Sequence, residues 1–138
     1  MEIIRRNSDY ALHALAALAG RKGFAPASAH WLAGRAGVAE PFLRKLLQRL
    51  SRAGVVESVL GARGGFRLAR RPERISVLEV LEAVQGRLAI NRCFLGRRNC
   101  PRRRTCRISG RLAGIQKQLT AFFKSVKLAD LVRERSRP

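Results

Sequence analysis

The sequence predicts a mainly α-helical fold: a winged helix-turn-helix with a small β-hairpin as its wing, followed by a long C-terminal dimerisation helix. Three observations predict it. Apolar residues recur at helical spacing in several segments, a glycine-rich turn separates two short strand-like runs, and a long amphipathic segment lies near the C-terminus. The chain has 138 residues, 46% of them hydrophobic, so we expect a single domain over residues 1–138.

The first helix is predicted over residues 2–20, where an apolar stripe precedes the glycines that end the helix. Asp9 and His13 are four residues apart, so their side chains are expected on one helix face. Each also has an ordinary explanation. An acidic side chain is favourable near any helix N-terminus, and the histidine can make a partly buried polar contact.

A helix-turn-helix is predicted next. Ser28 is placed to cap a short helix whose inner face includes Trp31 and Leu32, and Gly37 begins a tight turn. A third helix, over residues 40–53, separates an apolar face from a basic face that is expected to enter the major groove of DNA. The apolar face contains Phe42, Leu43, Leu46, Leu47 and Leu50, and the basic face contains Arg44, Lys45, Gln48, Arg49 and Arg52.

Two strands are predicted behind this helix, at residues 55–59 and 66–69, joined by a glycine-rich turn. A hairpin in this place is a wing. Arg63 lies at its tip and Arg67 on the returning strand, so we expect both to contact DNA, as we do Ser28. The alternative for the arginines is a solvated rim.

The remaining helices are predicted from capping residues and apolar stripes. Ser76 and Glu79 form a capping box at the start of a fourth helix, which Gly86 ends, so the DNA-binding part extends over about residues 1–86. A helix over about residues 109–124 has more apolar surface than a small monomer can cover, which predicts a homodimer. A short helix follows at about 128–134, and residues 135–138 are expected to be loose.

Charge and composition restrict the class of protein. The net charge of +20 favours a nucleic-acid partner, since arginine matches phosphate oxygens and guanine edges. No apolar run is long enough to span a bilayer and no signal-peptide pattern is present, so we expect a cytoplasmic protein without a membrane partner. The sequence has no Ser-His-Asp set, phosphate loop or dinucleotide fingerprint, so we expect no enzyme.

All three cysteines, Cys93, Cys100 and Cys106, lie in one loop at residues 92–107, together with seven arginines. Positive charge favours the thiolate form, which binds metals and reacts. The loop is therefore a candidate iron–sulfur site, a structural zinc site or a thiol switch. Zinc is disfavoured because the loop offers no fourth cysteine or histidine.

Taken together and in order, these segments resemble the IscR/NsrR family of bacterial winged-helix regulators. The matching segments are SDYAL (8–12), FLRKLL (42–47), LSRAGVV (50–56), GARGGFRLA (61–69), the three spaced cysteines, and LADLV (128–132). The resemblance implies a homodimeric transcription regulator, expected to be a repressor, that binds a palindromic operator in double-stranded DNA. The chain departs from the family pattern at Leu60 in the wing and at Pro41 and Arg44 in the third helix. The operator sequence that this chain prefers should therefore not be copied from the family.

The same resemblance implies an iron–sulfur cofactor, 2Fe–2S more often than 4Fe–4S, that senses nitric oxide, redox state or iron and cluster supply. Its ligands would be the three cysteines and a fourth group from the first helix of the other subunit. Asp9, or Asp9 with His13, matches that position, whereas Ser109 stands where one branch has a histidine ligand. The alternatives are a redox protein or electron carrier with the same centre, and a DNA-binding protein with a thiol/disulfide switch and no cluster.

Overall fold

A computed structural model of the protein describes residues 2–95, 100–102 and 104–133. The part of the cysteine loop at 96–99 and 103, the expected helix end at 134 and the expected loose segment 135–138 lie outside the described residues. The helices are α1 (Arg6–Ala19), α2 (Ala29–Ala36), α3 (Glu40–Arg52), α4 (Val77–Gln85), α5 (Ser109–Ser125) and α6 (Leu128–Arg133), and the strands are β1 (Val56–Val59) and β2 (Gly65–Leu68). Short 3-10 turns lie at Lys22–Phe24, Pro72–Arg74 and Arg92–Phe94.

The first helix begins at Arg6, so the prediction that it starts at residue 2 is wrong. The physical reason is a long-range contact. The Gln85 side chain accepts hydrogen bonds from the Arg5 backbone N–H at 3.0 Å and the Ser8 hydroxyl at 2.7 Å, and it donates to the Ile3 carbonyl at 2.9 Å. The residues before α1 are thereby held against α4, where their backbone groups have polar partners outside a helix.

The predicted helix-turn-helix forms as α2 and α3. The Ser28 hydroxyl caps α2 by accepting from the Trp31 backbone N–H at 3.1 Å, and Gly37 takes a left-handed conformation that ends the helix. The leucines of α3 are buried, at Leu43, Leu46, Leu47 and Leu50. Trp31 packs against the core as expected but is only half-buried, and the guanidinium groups of Arg21 and Arg35 lie over its ring at 5.0 and 4.7 Å.

The wing is an antiparallel pair in which Val56 faces Leu68 and Val59 faces Gly65. Each strand is shorter or shifted by one residue relative to the expected ranges. Phe66 also forms a bridge with Ala27, in which the two backbones exchange hydrogen bonds of 2.8 and 2.9 Å. A Cβ at Gly65 would come within 2.2 Å of the Ala27 carbonyl oxygen, so this close approach requires glycine.

Two clusters of buried apolar side chains hold these elements together. The larger joins α1, α2, α3, α4, the wing and Leu128 of α6. The smaller surrounds Val77, Leu81 and Leu88, and Leu119 and Phe123 of α5 pack against it. Helix α5 is therefore attached to the winged domain along one side only. Within the described residues, no helix is both long enough and apolar enough to cross a membrane.

The start of α4 gives a pH-dependent prediction. Partial burial raises the pKa of Glu79, but the Ser76 backbone N–H and the Arg70 guanidinium outweigh it and hold that pKa below its ordinary value of 4.5. The charged Glu79 thus stabilises the fold at neutral pH, and this contribution is lost as the pH falls through the lowered pKa. Glu79→Gln should reduce the free energy of unfolding at pH 7 by at most about 1 kcal/mol, because the pair is partly exposed.

Urea unfolding of the wild type and Glu79→Gln at pH 7 and pH 3 measures this effect. The difference between the two proteins should be smaller at pH 3, because the contribution of the charged Glu79 carboxylate declines as the pH falls below the ordinary pKa of 4.5. A difference that is the same at both pH values would show that the carboxylate charge contributes nothing.

Candidate metal centre and nucleic-acid interface

The three cysteines line one cavity of about 220 Å³, next to the first turn of α5. Each thiol is half-buried, and Phe94, Ser109, Gly110 and Ala113 complete the described lining. The turn at Arg92–Phe94 carries Cys93, and Cys106 lies three residues before the start of α5. As placed in the described parts of this single chain, no three His, Cys, Asp or Glu side chains are gathered closely enough to hold a metal ion.

Hydrogen-bond donors and a positive charge surround the Cys106 thiol. The backbone N–H groups of Ile108 and Ser109 lower the pKa of the Cys106 thiol, and the Arg102 charge adds to this effect. Amide donors at a helix start and a nearby cation stabilise a thiolate, which is the ligand form. The donor chemistry therefore fits a thiolate-bound metal or cluster. One chain supplies three thiol ligands in this cavity.

Asp9 and His13 lie together on α1, as their spacing predicts, with 3.6 Å between the Asp9 carboxylate oxygen and His13 Nε2. Their side chains are 57% and 65% exposed. Among the described residues they are not part of the cysteine cavity lining of their own chain. They form an outward-facing pair that a second molecule can reach.

The exposed face of α3 carries the polar residues that the sequence predicts, but two are engaged within the chain. The Arg44 guanidinium pairs with Glu40 at 2.8 Å, and its hydrogen bond lowers the pKa of the Glu40 carboxyl. Arg49 donates to the Val84 carbonyl at 2.8 Å, so in this structure its guanidinium holds α3 to the end of α4. Lys45 and Gln48 are exposed.

The wing presents Arg63 at an exposed tip, beside Leu60, which is 95% exposed. Arg67 on β2 is also exposed, but it pairs with Glu57 across the hairpin at 2.6 Å. Ser28, the seventh predicted DNA contact, uses its hydroxyl in capping α2. A phosphate at the first turn of α2 would therefore meet backbone N–H groups together with this hydroxyl.

Helix α5 has no buried residue within the described chain. Ile115 is 53% exposed and Phe122 61% exposed, and Ile108 just before the helix is 62% exposed. These three side chains are seven residues apart in the sequence, so they lie on one side of α5, and exposed large apolar side chains in this arrangement indicate a surface that another protein covers.

Comparison with known proteins decides the family. The family model named Rrf2, described as an iron-dependent transcriptional regulator, matches residues 4–134. This chain belongs to the Rrf2 family. Family membership confirms the predicted resemblance to IscR-type regulators, and it confirms the expectation that the chain is not an enzyme.

Two relatives illustrate the extent of the match. The Rrf2-family chain is 32% identical over 133 residues to the transcriptional regulator IscR of Cereibacter sphaeroides, covering 94% of this chain and 86% of that protein. It is 39% identical over 103 residues to Protein aau3 of Rhizobium meliloti, covering 72% of this chain and 65% of that protein. The match thus spans slightly less than two thirds of the length of aau3.

Solved structures confirm the winged-helix fold of this Rrf2 member. T. potens IscR has a TM-score of 0.74 and 29% identity over 93% of this chain and 84% of that chain. CymR (YrzC), the global cysteine regulator of B. subtilis, has a TM-score of 0.80 and 23% identity over 99% of this chain and all of that chain. Because the identity to CymR is only 23%, this similarity concerns the fold alone.

The side-chain contacts of Glu40 with Arg44, of Gln85 and of Arg49 were not predicted from the sequence. Glu40 and Arg44 are four residues apart on one helix, so their pairing follows from helical spacing and was available from the sequence. The contacts of Gln85 and Arg49 join residues that are distant along the chain, and nothing in local spacing points to them.

Proposed function

We propose that this Rrf2-family chain is a homodimeric, DNA-binding transcriptional repressor whose affinity for DNA is controlled by an iron–sulfur cluster. The observation that carries the proposal is the convergence of three half-buried thiols on one cavity at the start of α5. The cluster's state would report nitric oxide, redox conditions or the supply of iron and clusters. A cytoplasmic location remains a prediction.

Cys93, Cys100 and Cys106 would hold the cluster, and we favour 2Fe–2S over 4Fe–4S. Because three thiols leave a ligand position open, we assign it to Asp9 of a second copy, with His13 as a replacement or additional ligand. The outward exposure of this pair supports donation across a dimer. When bound, such a cluster supplies a redox- and nitric-oxide-reactive centre, and a carboxylate ligand exchanges more readily than a thiolate.

For the DNA interface, we propose that residues up to about 86 form the DNA-binding part. Lys45, Gln48 and Arg44 would face the major groove, and Arg63 at the wing tip would contact the minor groove or a phosphate. Ser28 and Arg67 would flank them. The basic face would also include Arg49 if its guanidinium left the Val84 carbonyl, which makes Arg49 the weakest member of this set.

A thiol switch without a cluster is the second candidate function. The lowered pKa of Cys106 favours it, since thiolate character and a neighbouring cysteine are what disulfide formation requires. The two functions differ in what the protein contains. A switch needs neither iron nor sulfide, and a reductant alone would change its affinity for DNA.

The proposal is tested with protein purified without oxygen, half of which is then stripped of iron. A duplex selected from a randomised pool by the loaded protein serves as the probe in gel-shift titrations. Loaded and stripped protein should differ in affinity by at least about fivefold, the lower end of typical allosteric coupling. Equal affinities, or a difference that a reductant alone abolishes, would contradict cluster control.

Removing the wing-tip charge should weaken DNA binding in a salt-dependent way. A dimer carries two copies of Arg63, so Arg63→Ala should reduce the magnitude of the negative slope of log K against log salt by roughly 1.8 if each neutralises one phosphate. Arg133→Ala, which removes an exposed arginine from α6, is the matched control. Titrations at several salt concentrations measure both slopes. An unchanged slope and affinity for Arg63→Ala would exclude a wing contact.

A further inference from the structure

The last turn of α4 is bonded to the helix that carries Asp9. Gln85 accepts from the Ser8 hydroxyl at 2.7 Å and from the Arg5 backbone N–H at 3.0 Å. Ser8 is fully buried and directly precedes Asp9. Helix α1 has no side-chain cap from its own N-cap residue, Arg5. The Gln85 carboxamide therefore fixes the position of the first turn of α1 from another helix.

The neighbouring residue on α4 is bonded to the proposed recognition helix. Val84 lies in the last turn, where carbonyl groups have no partner within the helix. Its carbonyl accepts from Arg49 Nη1 of α3 at 2.8 Å. Adjacent residues of α4 thus contact α1 and α3, and a shift of either helix changes the polar contacts of the same turn.

The chain then continues from this turn towards the cysteines. Gly86 ends α4, and Leu88 is buried in the smaller apolar cluster. Gln116 of α5 donates to the Leu88 carbonyl at 2.8 Å and accepts from the Ile90 backbone N–H at 2.8 Å. The segment between α4 and Cys93 therefore packs against α4 through Leu88 and is hydrogen-bonded to α5 at Leu88 and Ile90.

We propose that this junction, defined as Val84 and Gln85 with their partners Arg49 and Ser8, transmits the state of the cysteine site to the recognition helix. Gln85 is a positioning residue in this account: it links the Asp9-bearing turn of α1 to α4, and Arg49 links α4 to α3. The inference rests on the proposed function and adds to it the path of the coupling. It also gives Arg49 a role other than contact with DNA.

The test is the ratio of DNA affinities of loaded and stripped full-length protein, measured on the selected duplex. Gln85→Ala removes all three hydrogen bonds, and the ratio should fall to within about twofold of one, compared with at least about fivefold in the wild type. Gln85→Glu keeps the two acceptor contacts and should retain most of the wild-type ratio. Asn7→Ala, which removes an exposed carboxamide beside Ser8, is the matched control and should leave the ratio unchanged.

A purely structural role for Gln85 would lower the unfolding temperature and leave the ratio of affinities intact. Ser8→Ala is the second variant if Gln85→Ala fails to fold, since it removes one hydrogen bond with little change of volume, and its ratio should fall below that of the wild type. A wild-type ratio retained by folded Gln85→Ala or by Ser8→Ala would overturn the junction while leaving cluster control in place. A ratio of one in the wild type would overturn the proposed function, and the junction with it.

Discussion

Alanine at any one of Cys93, Cys100 and Cys106 is expected to abolish the visible charge-transfer absorbance of anaerobically purified protein, together with its iron and sulfide. The three thiols line the same cavity, and three is the smallest number that leaves only one ligand position for the second subunit. Loss of one thiolate would leave only two cysteine ligands and open a position that water and oxidants can attack. Absorbance spectra and iron and sulfide assays measure the effect.

Two controls separate ligation from general damage to the loop. Ser109→Ala changes the lining of the same cavity without removing a thiol and should keep the absorbance. Asp9→Ala should leave a labile or altered cluster, and His13→Ala should have a smaller effect. A cluster that survives in Asp9→Ala and is lost in His13→Ala would contradict the assignment of Asp9, and a cluster that survives loss of a cysteine would contradict the thiolate set.

Placing a charge on the exposed apolar side of α5 is expected to convert the proposed dimer to a monomer. Phe122 is 61% exposed in the single chain, and we propose that a partner's α5 covers it together with Ile115. Phe122→Glu would bury an unpaired carboxylate within that contact, which is strongly unfavourable. Because two winged domains bound together gain by effective concentration, apparent DNA affinity should fall by about 10² to 10⁴.

Lys124→Gln is the matched control, since it changes the net charge by the same amount at an exposed polar position of α5. It should remain dimeric and bind DNA nearly as well as the wild type. Sedimentation at micromolar concentration measures the mass. A wild type that is already monomeric, or a Phe122→Glu variant that remains dimeric, would contradict the proposed interface.

Local sequence spacing predicted most of the winged fold for identifiable reasons. The apolar repeat of α3 matches its four buried leucines, and the Ser76–Glu79 capping box forms as the spacing predicts. These features depend on residues within one or two turns of each other. The predicted start of α1 was wrong because the true start depends on Gln85, whose contacts reach residues about 80 positions away. Helical spacing carries no information about such a contact.

In the candidate site, too, some features were predictable from the sequence and others were not. The convergence of the cysteines follows from their closeness in the chain, and the exposure of Asp9 and His13 follows from their place on α1. The engagement of Arg49 with Val84 depends on tertiary packing and could not be predicted. Arg67 and Glu57 face each other across the hairpin, so their pairing follows from the strand register. The fourth ligand lies beyond the reach of one chain's geometry, because the proposed donor belongs to a second copy.

We propose that the cysteine cavity holds an iron–sulfur cluster, and metal and sulfide analysis of protein purified without oxygen tests this claim. A 2Fe–2S centre in each subunit predicts about two iron atoms and two acid-labile sulfides per chain, with charge-transfer absorbance in the visible range. Protein that contains zinc, or no metal, and lacks iron and sulfide under these conditions would contradict the claim.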